Sequence, residues 1–197
     1  MIFRKATSRD LRAIGDIYRR IHDHEEAGLL STGWVRGVYP TPDTARAALD
    51  RGDLYVLVET GPAEADPEEA TKPNHGGHGP DEETIVAAGV INQVQLPEYG
   101  KTDWQVAADE DEVLVLHTLT VAPLQAGHGY GRSFVASYED LAQDQGMKAL
   151  RMDTNVLNQR ARALYRSLGY REVGQVPTVF NGIDGVTLVL LEKGLSE

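Results

Sequence analysis

Val121-Ala122-Pro123-Leu124-Gln125-Ala126-Gly127-His128-Gly129-Tyr130-Gly131-Arg132 joins a β-branched, apolar run, Val113 to Val121, to a run with helical spacing, Ser133 to Gln145. A strand, a glycine-rich turn and a helix start in that order make a phosphate cradle. Gly127, Gly129 and Gly131 carry no Cβ, so the chain there can bend sharply and approach a ligand closely. The first turn of the helix presents backbone N–H groups and the positive end of the helix dipole, and a pyrophosphate accepts those hydrogen bonds.

Spacing narrows the kind of cradle. A P-loop ends in Gly-Lys-Ser/Thr, and no lysine occurs between Thr102 and Met147. A dinucleotide fingerprint needs Gly-x-Gly-x-x-Gly; counted from Gly127 the last position is Arg132, and counted from Gly129 it is Phe134. Both readings fail on residue type.

Working outward from the turn, the chain predicts one α/β domain. Ile2 to Lys5 reads as a strand, and Thr7 with Asp10 offers a capping box to a helix whose apolar side is Leu11, Ile14, Ile17, Tyr18 and Ile21. Gly28 closes that helix, and a loop through Trp34 and Tyr39 leads to a second helix, from Thr41-Pro42 to Gly52. Leu54 to Glu59 and Ile85 to Gln95 read as strands, with Ala87-Ala88-Gly89 permitting close packing. Residues 61–84 between them are acidic, rich in Pro and Gly and poor in apolar bulk, and read as a flexible surface loop. The pair His75 and His78 in that tract lacks further ligands, so no metal site is expected. After the turn come a strand at Ala149 to Asp153, a helix from Gln159 to Leu168 ended by Gly169, and strands at Tyr170 to Val173 and Val186 to Glu192. Asn181 to Gly185 is a turn-rich link between the last two.

Composition bounds the function. The chain has 197 residues, no cysteine and a formal net charge of −11. Nucleic acid is disfavoured as a partner because phosphate backbones need a basic footprint. No apolar run is long enough to span a bilayer, and Met1 to Ala6 lacks the apolar core of a signal peptide, so no membrane partner and a cytoplasmic location are expected.

Two motifs together resemble the GCN5-related N-acetyltransferase (GNAT) family. Val121-Ala-Pro123 with the glycine turn is similar to that family's acetyl-CoA pyrophosphate loop, and Asn158-Gln-Arg-Ala161-Arg-Ala-Leu164-Tyr165-Arg-Ser-Leu-Gly169-Tyr170 is similar to its second signature. In one respect the chain departs: where the family has Gln or Arg ahead of the small residues, Ala126 stands and Gln125 falls one residue early. The pyrophosphate grip should then rest on backbone N–H groups, with Arg132 supplying charge.

The resemblance implies a single domain over 1–197, with a central mixed, twisted sheet of about seven strands flanked by about four helices. It implies that two parallel strands, Val113 to Val121 and Ala149 to Asp153, splay apart at the CoA site. The implied activity is acetyl transfer from acetyl-CoA, as co-substrate, to a primary amine of a small molecule or peptide by direct attack on the thioester. A non-catalytic acyl-CoA-binding or sensor domain, and a nucleotide-binding regulator using the same turn, stand as alternatives. The family is often dimeric, so a second copy is a candidate partner.

Implied site residues follow. Leu119, Thr120 and Val121 would pair with the pantetheine arm, with the Leu119 N–H aimed at the thioester oxygen. Gly127, His128, Gly129, Tyr130, Gly131 and Arg132 would hold the pyrophosphate. Asn158 would cap its helix, bond the pantetheine amide, or both. Tyr165 stands where the family's general acid is found, although spacing alone makes it a core aromatic. Strand alternation puts His117 on the face of Leu119 and Val121, where it could serve as general base; the alternative is a buried histidine satisfied by a backbone carbonyl. Trp34, Arg36, Tyr39, Asn92, Gln95 and Tyr99 are the candidates for lining the acceptor side.

Overall fold

The structure is a computed structural model that describes residues 1–61 and 83–195. The tract with His75 and His78, and nearly all of the 61–84 loop, lie outside the described residues.

Strand β1 (Ile2–Lys5) leads through a short 3₁₀ turn at Ser8–Asp10 into helix α1 (Leu11–Glu26). Thr7 and Asp10 form the expected capping box at this entry. Helix α2 (Pro42–Arg51) starts at Thr41, whose side chain accepts from the Thr44 N–H, and stops at Gly52, which is left-handed at φ 77°. Strands β2 (Leu54–Thr60), β3 (Glu83–Asn92) and β4 (Val113–Val121) come next, followed by helix α3 (Tyr130–Asp144), strand β5 (Ala149–Asn155) and helix α4 (Gln159–Ser167). The chain ends in β6 (Arg171–Phe180) and β7 (Ile183–Gly194).

These strands form one seven-stranded mixed sheet in the order β1-β2-β3-β4-β5-β7-β6. Only β4 and β5 run parallel; every other neighbouring pair is antiparallel. The sheet buries both faces. On one, α3 and α4 cover a core that includes Leu57, Leu114, Leu116, Leu150, Met152, Phe134 and Tyr138. On the other, α1 and α2 pack on Val56, Val58 and Val90. The segment around Tyr99 and Trp104 packs on Val113, Val115, Leu188 and Leu190.

The final hairpin is longer than its apolar pattern suggests. β6 reaches Phe180 because Asn181 (φ 49°) and Gly182 (φ 83°) make a two-residue turn with both central residues left-handed. Pro177 lies inside β6, opposite Thr187, and is tolerated because β6 is the sheet's edge.

Two local departures build the site. β4 carries a bulge: Ala88 pairs with Thr120 but Val90 pairs with His117, so Gly89 faces two residues of β4. Thr118 takes a left-handed φ of 52°, rare for a β-branched residue. Gly89 is required here, because a Cβ on it would lie 2.9 Å from the Phe134 ring. The second departure is the end of β4–β5 pairing at Leu116 with Met152, although both strands continue, to Val121 and Asn155. The expected splay therefore begins directly at the bulge.

The bulge also corrects the alternation argument. Leu119 and Val121 pack with Leu114 and Leu116 toward α3 and α4. His117 stays on the opposite side, bonded toward Asn92 and Val94. The extra residue at the bulge reverses the facing of everything after it, so His117 does not share a face with Leu119 and Val121.

Candidate active site

A cavity of about 450 Å3 runs through the splay and draws its walls from both sides of the sheet. Ala161, Leu164 and Tyr165 come from α4, and Val186 and Leu188 of β7 line it from the other face. Leu119, Thr120, Val121, Gly127, Gly129, Tyr130, Gly131, Arg132, Asn158, Trp34 and Tyr39 all line it too.

The glycine turn combines left-handed backbone with a helix start. Gly127 (φ 96°) and Gly129 (φ 82°) are both left-handed, and Gly129 caps α3. Helix α3 begins at Tyr130, three residues before the apolar pattern suggests, and its first turn contains no acidic side chain. Gly131 therefore belongs to the helix rather than to the turn. Its missing Cβ serves packing, since that atom would lie 3.2 Å from Leu164 and 3.5 Å from Val121. The Ser133 N–H is bonded to Gly129 O, 3.0 Å, so the helix ladder starts there. Arg132 lines the cavity and donates to the Ser167 hydroxyl at 2.7 Å. Gln125 Oε1 lies 3.1 Å from His128 Nδ1; His128 itself is exposed and outside the cavity wall. A lobe with a helix start, a cation and two left-handed glycines fits the pyrophosphate of a CoA thioester.

Asn158 caps α4, its Oδ1 accepting from the Ala161 N–H at 3.1 Å, and also lines the cavity. That cap sets the helix which carries Tyr165. Burial and the nearby Asp153 charge push the Tyr165 phenol up, so it keeps its proton at neutral pH.

Asp153 was not among the residues expected at the site. It lies on β5 one residue beyond the last β4 pairing, and it lines the cavity. Burial pushes its carboxyl up to about 6, against the lowering effect of the Tyr99 hydroxyl, which donates to Oδ2 at 2.9 Å. Its charge reaches the hydroxyls of both Tyr165 and Tyr39. The signal was present in the sequence: an acidic residue closes an apolar strand just ahead of Asn158. Tyr99 is buried, and it acts through Asp153 rather than by lining the cavity.

Tyr39 bridges the loop before α2 to the bulge. Its hydroxyl is hydrogen-bonded to the Thr118 hydroxyl, its ring stands edge-on to Trp34 and Phe180, and burial pushes its phenol up to about 12. Glu25 fixes the start of the same loop by accepting from the Thr32 N–H, the Thr32 hydroxyl and the Gly33 N–H at 2.7–2.9 Å.

The remaining candidates sit elsewhere. His117 Nε2 faces two oxygen acceptors, Val94 O at 3.0 Å and Asn92 Oδ1 at 3.2 Å, so that nitrogen carries a proton. Burial lowers its pKa, and it does not line the cavity. Of the two readings left open for it, a histidine satisfied by a backbone carbonyl matches this placement. Asn92 donates to Asp53, Gln95 accepts from Arg151, and Arg36 pairs with Asp23 and Glu26; none of the three lines the cavity.

The model of the Acetyltransferase (GNAT) family matches residues 48–170, more than half of the chain. The chain belongs to this family. The match takes in the bulged strand, the glycine turn and α4. No curated protein matches the chain in sequence. Solved structures share the GNAT fold across its whole length. A GCN5-related N-acetyltransferase from Kribbella flavida is 22% identical, with 98% of this chain and 97% of that one covered, at a TM-score of 0.61. A ribosomal-protein-alanine N-acetyltransferase from Brucella melitensis is 19% identical, with 99% and 100% covered, at 0.64. The protein yncA of Salmonella typhimurium, solved with its cofactor acetyl-CoA, is 17% identical, with 100% and 94% covered, at 0.61. This chain is thus a GNAT acetyltransferase in family, and among its described residues no helix is long and apolar enough to cross a membrane.

Proposed function

We propose that this GNAT protein transfers the acetyl group of acetyl-CoA to a primary amine by direct attack of the amine nitrogen on the thioester. The observation that carries the reading is the meeting, in one cavity at the splay, of a buried carboxylate with a carboxyl pushed up to about 6 and a protonated phenol, Asp153 and Tyr165.

The residues divide the work. The α3 turn from Gly127 to Arg132 holds the pyrophosphate, and Leu119 to Val121, unpaired with β5, receive the pantetheine arm. The Leu119 N–H at the bulge is the donor to the thioester oxygen. Asp153 accepts the proton that the attacking amine loses as the N–C bond forms. Tyr165 donates to the sulfur as the C–S bond breaks, so the products are an amide and CoA thiol. A carboxyl near 6 suits the base role, being mostly ionised at neutral pH yet basic enough to take the proton. His117 has no part in this scheme.

The test is acetyl transfer to a mixed amine panel by the wild-type protein and by Tyr165→Phe, with ligand-dependent melting as control. Acetyl-CoA should stabilise both proteins, and Tyr165→Phe should lose about 10²-fold or more in kcat. Stabilisation by ATP or NAD but not by CoA would overturn the assignment.

A further inference from the structure

The two ends of the cavity differ in chemistry. Arg132 in the first turn of α3 marks the cofactor end, where it donates to Ser167 at the close of α4; Arg160 in the first turn of α4 and His24 on α1 also line the cavity. The acceptor end is built from other elements: the loop before α2, the end of β5, and the β6–β7 hairpin. These supply Trp34, Tyr39, Phe180, Val186, Leu188 and Asp153. Among the described residues, Asp153 is the only carboxylate lining the cavity.

The aromatic wall is ordered before any acceptor arrives. Trp34 and Tyr39 stand edge to face at 6.0 Å, and Tyr39 and Phe180 at 5.6 Å, with interplanar angles of 85° and 81°. The Tyr39 hydroxyl is tied to Thr118, the Glu25 carboxylate fixes the backbone just before Trp34, and the Asn181-Gly182 turn fixes Phe180 from the other side. A Cβ on Gly33 would collide with the Asn155 side chain, so the loop lies directly on the end of β5.

We propose that the acceptor is a small primary monoamine carried on an aromatic or similarly flat apolar group, with the ring against Trp34, Tyr39 and Phe180 and the nitrogen at Asp153. This rests on the transferase reading above. Other amines are disfavoured for stated reasons. A free amino acid would set its α-carboxylate, one carbon from the amine, against Asp153, the carboxylate that lines the cavity. A polyamine would bring a second ammonium, and this end has a single carboxylate to meet it. In the reaction the amine nitrogen bonds to the acetyl carbon, Asp153 takes the released proton, and the C–S bond breaks to leave CoA thiol.

The full-length protein and acetyl-CoA, with CoA thiol release as the readout, test this on phenethylamine, tryptamine, spermidine, free phenylalanine and a short peptide with an N-terminal alanine. The aromatic monoamines should exceed the other acceptors in kcat/KM by about tenfold or more. Phe180→Ala should raise KM for phenethylamine by about tenfold or more while leaving the acetyl-CoA melting shift unchanged, which shows that the fold survives. A preference for spermidine, free phenylalanine or the peptide would overturn the inference and leave the transferase reading standing. Stabilisation by acetyl-CoA with no turnover of any amine would overturn both.

Discussion

Replacing Asp153 by Asn should raise stability while abolishing most of the activity. The carboxyl rises from the ordinary 3.8 to about 6 chiefly because burial penalises the charged form. A group whose folded value lies above its unfolded value disfavours the folded state once it is ionised. At neutral pH that penalty is about 3 kcal/mol. It fades as pH falls through 6 and is gone below 3.8. Asn is neutral, close to isosteric, and still accepts from the Tyr99 hydroxyl, so the variant sheds the penalty and keeps the hydrogen bond. Its melting temperature should exceed that of the wild type at pH 7.5, by an amount that shrinks toward pH 5. Catalysis should move the other way, with a loss of about 10²–10⁴-fold in kcat. The ratio of wild-type to variant rate, measured with one amine so that the acceptor's own titration cancels, should fall as pH drops through about 6. A ratio that stays constant from about pH 5 to about pH 8, on either side of the Asp153 carboxyl at about 6, would refute the base role, and a variant no more stable than the wild type at about pH 7.5 would refute the burial argument.

Two further expectations concern the frame around the site. Gly129→Ala places a Cβ at φ 82°, which should cost about 1–2 kcal/mol in thermal or denaturant unfolding and weaken acetyl-CoA in a melting-shift titration. Glu192→Ala removes the buried partner of Arg151, 3.2 Å away, together with the carboxylate that accepts from the Gln105 and Val106 N–H groups; urea unfolding should show a loss of about 3–5 kcal/mol.

What the amino-acid pattern discloses and what it hides follow from the range of the interactions involved. The strand–turn–helix at the centre, the capping boxes at Thr7 and Thr41, and the cap from Asn158 are local, and local residue types specify them. The bulge is different. Val113 to Val121 alternates without a visible break, and the extra residue at Thr118 is specified from outside the strand, by Gly89 making room for Phe134 and by Tyr39 reaching the Thr118 hydroxyl. Without the bulge, His117 would share a face with Leu119 and Val121. Asp153 is hidden in the sequence for a related reason: its importance comes from the end of β4–β5 pairing and from Tyr99, far away in sequence. Strand position alone puts Asn92 and Gln95 near the site, but partners on other elements, Asp53 and Arg151, decide where they point.

The placement of Pro177 bears on how the protein behaves in a crowded solution. A sheet with an open border can recruit further strands and grow into insoluble cross-β stacks. At one border here stands β1, only four residues long. The other, β6, is long, but it is interrupted by Pro177, which has no N–H to offer an incoming strand, and by a register shift around Gly174. Pro177→Val would restore a donor on a run of β-branched and aromatic residues from Val176 to Phe180, whose last ring packs on Tyr39. Its consequence would be felt in shelf life and expression yield before it was felt in turnover.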